Sequence, residues 1–119
     1  MQTMPGTVVI QVFAKAPQAG YAKTRLVPVL GAQGAAELQR AMITRTLQML
    51  SDSTSWALQL WCAPDCSHSL FQYHADNPRI SLHRQSGQDL GERMQCALAY
   101  ALRRFERAIL VGTDCPGCR

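Results

Sequence analysis

Thr7-Val8-Val9-Ile10-Gln11-Val12-Phe13 runs directly into Ala14-Lys15-Ala16-Pro17-Gln18-Ala19-Gly20-Tyr21-Ala22-Lys23-Thr24-Arg25-Leu26, and the reading of this junction decides the fold. The first part is a short apolar run rich in β-branched residues, which reads as a buried strand. The second part contains Pro17 and Gly20, which shape a loop, and three cations, Lys15, Lys23 and Arg25. In α/β domains ligands bind at the carboxyl ends of parallel strands. A cationic loop at that place suits an anion such as phosphate. The competing reading is a solvated surface loop with ordinary lysines.

Two familiar phosphate cradles are excluded by spacing. A P-loop places glycine directly before the lysine of G-x-x-x-x-G-K-[ST]; here Ala22 precedes Lys23, and Gly20 stands three residues before it. The dinucleotide fingerprint G-x-G-x-x-G is also missing. Any grip on phosphate therefore relies on side-chain cations more than on a glycine-rich backbone.

Working outward, the strand 7–13 is followed by a helical pattern over 33–50. Ala35, Leu38, Met42 and Met49 fall on one stripe, with Ile43, Leu47 and Leu50 beside it. After the polar turn 51–55, residues 56–62 read as a second strand, 67–75 as a short helix and 79–83 as a third strand. The clearest helix starts near Leu90. Leu90, Met94, Leu98, Ala101, Leu102 and Phe105 form its apolar face, Asp89 is its N-cap, and Glu92 completes a capping-box pattern. Ala108-Ile109-Leu110-Val111 is the fourth strand and leads into Gly112-Thr113-Asp114-Cys115-Pro116. Alternating strands and helices without hairpin signals predict a parallel α/β sheet with strand order 3-2-1-4.

The length of 119 residues bounds the chain to one domain at most. A hydrophobic content of 47% with 17% charged residues fits a globular chain with a real core. The net charge of +4 suits an anionic small ligand, while the lack of a basic run or of aromatics interleaved with cations argues against nucleic acid. No segment approaches the ~20 apolar residues of a membrane helix, and no signal peptide pattern is present. The expectation is a cytoplasmic protein without a membrane partner, whose five cysteines are reduced thiols.

Three patches carry candidate chemistry: the loop after the first strand, the segment 85–93, and the turn after the fourth strand. Asp114 is a carboxylate just past a buried strand, which suits Mg²⁺ or Mn²⁺ bridging to phosphate; it equally suits a residue that caps the following turn. Arg93, in the first turn of the Asp89-capped helix, opposes the helix dipole unless something offsets it. A bound anion would do so, and so would pairing with Glu92 or Asp89. Cys62, Cys66, Cys115 and Cys118 have spacings compatible with zinc, although cysteine is also a common buried residue. His68, His74 and His83 share no motif spacing.

Phe13-Ala14-Lys15-Ala16-Pro17, Gly20, Lys23-Thr24-Arg25-Leu26, Gln85, Asp89-Leu90-Gly91-Glu92-Arg93-Met94 and Gly112-Thr113-Asp114-Cys115-Pro116 together resemble the DUF2064 family. This is a family of GT-A-fold glycosyltransferase-like proteins, including those associated with arsenosugar biosynthesis, and related to the molybdenum-cofactor and phospholactate nucleotidylyltransferases. The resemblance implies the amino-terminal half of a GT-A (Rossmann-like) nucleotide-diphospho-sugar transferase fold. It implies a nucleoside-diphosphate sugar as partner and a divalent Mg²⁺ or Mn²⁺ as cofactor. Lys15, Lys23 and Arg25 would face the phosphates, with Gly20 and Thr24 in the same loop. Gln85, Asp89 and Arg93 would lie toward the base and ribose or brace the loop, and Asp114 would match the metal-binding Asp. No catalytic residue is singled out. Where the family carries glycine directly before Asp-Leu-Gly, this chain has Gln88. The family also continues past the last residue here, so the expectation is a nucleotide-binding half-domain over 1–119, incomplete at its carboxyl end, with an exposed apolar sheet edge near the fourth strand that favours self-association. The readings that stay open are a glycosyltransferase, a nucleotidylyltransferase, a non-catalytic nucleotide-binding remnant and a zinc-stabilised interaction domain.

Overall fold

The computed structural model describes residues 8–113; Thr7, Asp114, Cys115 and Cys118 lie outside the described residues. Within them the chain runs β1 (Val8–Lys15), a 3-10 turn (Thr24–Leu26), α1 (Val27–Ser51), β2 (Ala57–Ala63), α2 (Ser69–Ala75), β3 (Ile80–Arg84), α3 (Leu90–Ala101) and β4 (Arg107–Gly112). The four strands form one parallel sheet in the order β3-β2-β1-β4, as the alternating pattern predicts. β1 is central: Ile10 stands beside Leu58 of β2 on one side and Ile109 of β4 on the other.

Both faces of the sheet are covered, which is why β1 reads as a nearly continuous apolar run. On one face Ile10, Val12 and Ala14 pack with Leu58 and Leu60 against Ile43 and Leu47 of α1 and Phe71 of α2. On the other, Phe13 and Trp61 pack against Ala97 of α3, flanked by Met94 and Leu110. Gln11 is fully buried on this second face. Its Nε2 donates to Gln59 Oε1 at 3.0 Å and to the Ala97 carbonyl at 2.8 Å, and Trp61 Nε1 donates to the same Gln59 oxygen at 2.9 Å. Buried amides require such partners, so this network fixes how α3 sits on β1.

The helices differ from the sequence reading in two respects. α1 starts at Val27, with proline at its first turn, and is interrupted at Gly31 (φ 75°, ψ 162°), so the regular pattern from residue 33 is its second segment. Its buried side is Ala35, Ala36, Gln39, Ile43 and Leu47, and Met49 faces outward. α3 ends at Ala101, not near Phe105, and buries Ala97 and Ala101, while Leu90 and Leu102 at its two ends are exposed. Among the described residues no helix is long and apolar enough to cross a membrane.

Candidate functional site

The site is built on the carboxyl edge of the sheet, where β1 and β4 end side by side. Thr113, just past β4, is 2% exposed. Its backbone N–H donates to the Phe13 carbonyl at 3.2 Å, and its hydroxyl donates to the same oxygen at 3.1 Å. Gln39, fully buried on α1, sends its Nε2 to the Lys15 carbonyl at 2.9 Å and to Thr113 Oγ1 at 3.4 Å. Lys23 folds inward, 8% exposed, and its ammonium donates to the Thr113 carbonyl. These three side chains lock the loop after β1 onto the end of β4. Lys23 sits in the left-handed region (φ 52°), so the loop backbone is turned to deliver this side chain inward.

The opposite wall is the start of α3. Asp89 caps it by accepting from the Glu92 N–H at 2.8 Å, as its sequence position predicts. The Glu92 carboxylate reaches back to the Gln88 N–H, one residue before the usual capping-box donor. Gly87 takes φ 139°, and a Cβ there would stand 2.8 Å from the Arg93 backbone nitrogen. The glycine demand of this turn therefore falls on residue 87, which explains how Gln88 is accommodated. Arg93 Nε donates to the Gly87 carbonyl at 3.0 Å, so Arg93 braces the turn rather than pairing with Asp89 or Glu92. Gln85 is tied from both ends: its N–H to the Cys62 carbonyl at 2.9 Å and its Nε2 to the Trp61 carbonyl at 2.9 Å.

Between these walls lies a cleft of about 690 Å³, which Lys15, Gln85, Asp89 and Arg93 line together over an apolar floor of Phe13 and Leu110. A second cavity of about 420 Å³ adjoins it, sharing Gln85 and Arg93 and adding Arg84 and Tyr21. Lys15 also sits over the Tyr21 ring at 5.7 Å. The double cleft thus gathers Lys15, Arg84 and Arg93 beside a helix amino terminus, whose N–H groups and dipole favour anions. Of the sequence-derived site residues, Lys15, Gln85, Asp89 and Arg93 converge here. Gly20 (φ 84°), Thr24 and Arg25 are exposed and line neither cavity, and Lys23 lies beneath the surface. Sequence reasoning missed Gln39 and Thr113. The available signal was a polar residue four positions from both Ala35 and Ile43, on the stripe that packs inward.

Among the described residues no three His, Cys, Asp or Glu side chains gather to hold a metal ion. In the cleft the Asp89 carboxylate is already engaged as a cap. The histidines have structural positions. His68 Nδ1 accepts from the Leu70 N–H as the N-cap of α2, His83 stacks on Trp61 at 4.7 Å, and His74 is buried. A further groove of about 670 Å³ lies at the opposite end, between the carboxyl ends of α1 and α2, and no lysine or arginine lines it.

The fold and the cleft define a parallel α/β protein of the nucleotide-diphospho-sugar transferase fold. The model of the family described as "Uncharacterized protein conserved in bacteria (DUF2064)" matches residues 46–119, and the chain belongs to that family. A crystal structure from Desulfovibrio desulfuricans G20, of a protein provisionally named a nucleotide-diphospho-sugar transferase, superposes with a TM-score of 0.79 at 33% identity. The match covers 92% of this chain and 48% of that one, so the chain spans about half the length of the matched structure. No curated protein matches the chain at a comparable significance.

Proposed function

We propose that this protein binds the nucleoside-diphosphate part of a nucleotide-sugar donor in the double cleft, with Mg²⁺ or Mn²⁺, as the donor side of a glycosyl transfer. The observation that carries the reading is the convergence of Lys15, Arg84 and Arg93 with the start of α3 at the carboxyl edge of the sheet. The match to a protein named as a transferase of this kind supports it. A diphosphate would lie across Lys15 and Arg93, with Lys23 and Arg25 shaping and supplementing the loop. The metal would be held by Asp114 and the phosphate oxygens, and would offset charge on the departing diphosphate. Because half of the matched structure has no counterpart here, donor binding is the first step of the proposal and transfer to an acceptor the second.

Titration calorimetry with UDP and GDP, with and without Mn²⁺, tests the first step. Binding should weaken with salt, because charges at a partly open site are screened within about 10 Å. Lys15→Ala should weaken it by about tenfold or more, while Arg104→Ala, late in the chain and away from the cleft, should leave it unchanged. Asp114→Asn should abolish the Mn²⁺ dependence, whereas an Asp that merely caps a turn would be replaced by Asn without effect. Absence of heat and of thermal stabilisation at millimolar nucleotide, on folded protein, would refute the reading.

A further inference from the structure

Cys62 and Cys66 are the two thiols that the nucleotide reading leaves unused. Cys62, at the carboxyl end of β2, is fully buried and donates to the Leu60 carbonyl at 3.6 Å. Cys66 follows in the loop before α2, partly exposed, and packs against the core cluster that contains Cys62. That loop is anchored on both sides, by the Ser67 N–H on Asp65 Oδ1 at 2.9 Å and by Gln72 Nε2 on the Cys66 carbonyl at 2.7 Å. Burial first, and then the neighbouring Cys66 thiol and the Asp65 charge, push the Cys62 thiol well above its usual range. The Cys62 carbonyl holds Gln85, so the pair sits directly behind the cleft wall.

We infer that Cys62 and Cys66 form a reversible disulfide, with Cys66 as the entry thiol and Cys62 as the resolving one. The oxidant class is a small-molecule disulfide such as glutathione disulfide. The Cys66 thiolate attacks one glutathione sulfur, forming a mixed disulfide and releasing one glutathione thiolate, which takes up a proton. Cys62 then loses its proton to solvent and attacks the Cys66 sulfur; the protein disulfide forms and the second glutathione leaves. Two protein thiols are oxidised and one glutathione disulfide is reduced to two thiols. Burial slows the second step, since exchange needs a thiolate. Besides burial, Cys66 and Asp65 oppose ionisation of Cys62, and the charge on Cys66 disappears once that sulfur is in a mixed disulfide. The intramolecular partner also acts at an effective concentration in roughly the millimolar range or above.

The test is intact-mass and peptide mapping of the full chain exposed to glutathione disulfide, repeated on the variant Cys96→Ser/Cys115→Ser/Cys118→Ser. The expected result is loss of the mass of two hydrogens, a 62–66 crosslink in the peptide map, no crosslink between chains, and recovery of both thiols with dithiothreitol. In submillimolar glutathione, closure should outpace stable glutathionylation of Cys96 by about tenfold. Cys66→Ser should abolish the product, and Cys62→Ala should arrest at a glutathione adduct on Cys66. A chain that retains two reduced thiols, that accumulates the adduct on Cys66 with Cys62 present, or that pairs these cysteines only between molecules would overturn the inference. So would zinc recovered in stoichiometric amount on Cys62 and Cys66. The experiment reads thiols alone, so its result is independent of nucleotide binding.

Discussion

Gln39 shows how a single side chain can hold a site it never touches. Its amide joins the Lys15 carbonyl at the end of β1 to the Thr113 hydroxyl just past β4, at a position with no solvent exposure. Gln39→Met keeps the volume but removes the donor. Leaving a buried carbonyl without its partner costs about 1–3 kcal/mol, so urea unfolding should show a loss in that range and nucleotide affinity should fall with it. An unchanged midpoint would show that water replaces the amide. Such a residue was hard to read from the sequence because helical periodicity assigns a polar residue to the solvent side, and only the partner strands reveal why Gln39 points inward. The cations and Asp89 were legible because charge and capping are local properties. The inward course of Lys23 depends on the position of Thr113, 90 residues away, and local sequence does not carry that information. The histidines give a pH signature. His74 and His83 are both lowered from their usual range by burial, and His74 Nε2 has no hydrogen-bond partner. The unfolded chain therefore takes up protons on them at a higher pH than the folded one. Their contribution to stability is complete above about pH 6.5 and declines as pH falls below it toward the folded-state values. Denaturation midpoints measured from pH 7.5 down to 5 should fall, and His74→Gln should make the curve shallower.

At the scale of elements, the break at Gly31 separates the two parts of α1. Its φ of 75° with ψ of 162° lies in a region that is essentially closed to residues with a Cβ. No atom lies within 4 Å of the place a Cβ would take, so the cost of Gly31→Ala is conformational and not steric. A loss of about 1–3 kcal/mol is expected from thermal or urea unfolding. If the variant is as stable as the parent, the first turn of α1 must rotate into a continuous helix. The same glycine explains a limit of the sequence reading. The regular apolar spacing begins only after it, so pattern alone starts the helix at 33 while Pro28 begins the earlier turn. The strands were the most legible elements, since a sheet covered on both faces leaves unbroken apolar runs. The face of α3 was less so, because α3 spans only Ala97 and Ala101 as fully buried contacts and its longer apolar residues at either end reach beyond the sheet.

For the molecule as a whole, β3 and β4 are the edges of the sheet among the described residues, and the two edges differ. β3 is short and carries Ser81, His83 and Arg84, polar residues that discourage further pairing. β4 presents Ile109, 50% exposed, among the partly buried Ala108, Leu110 and Val111, with Arg107 and Gly112 exposed at its two ends. It pairs with β1 along one side, and among the described residues no strand pairs with its other side. An apolar edge whose N–H and carbonyl groups no described strand pairs is a template for a second chain. The expected behaviour is concentration-dependent association in sedimentation velocity, with β4 protected from amide exchange in the associated form. Ile109→Lys puts a charge on that edge, as natural edge strands do, and leaves the β1 pairing in place. Fully burying an isoleucine contributes about 1.5–3 kcal/mol, and removing half of that while adding a charge that must be desolvated should weaken association by about tenfold or more. A parent chain that remains monomeric over the whole accessible concentration range, or a variant that associates as strongly as the parent, would place any contact elsewhere than on β4.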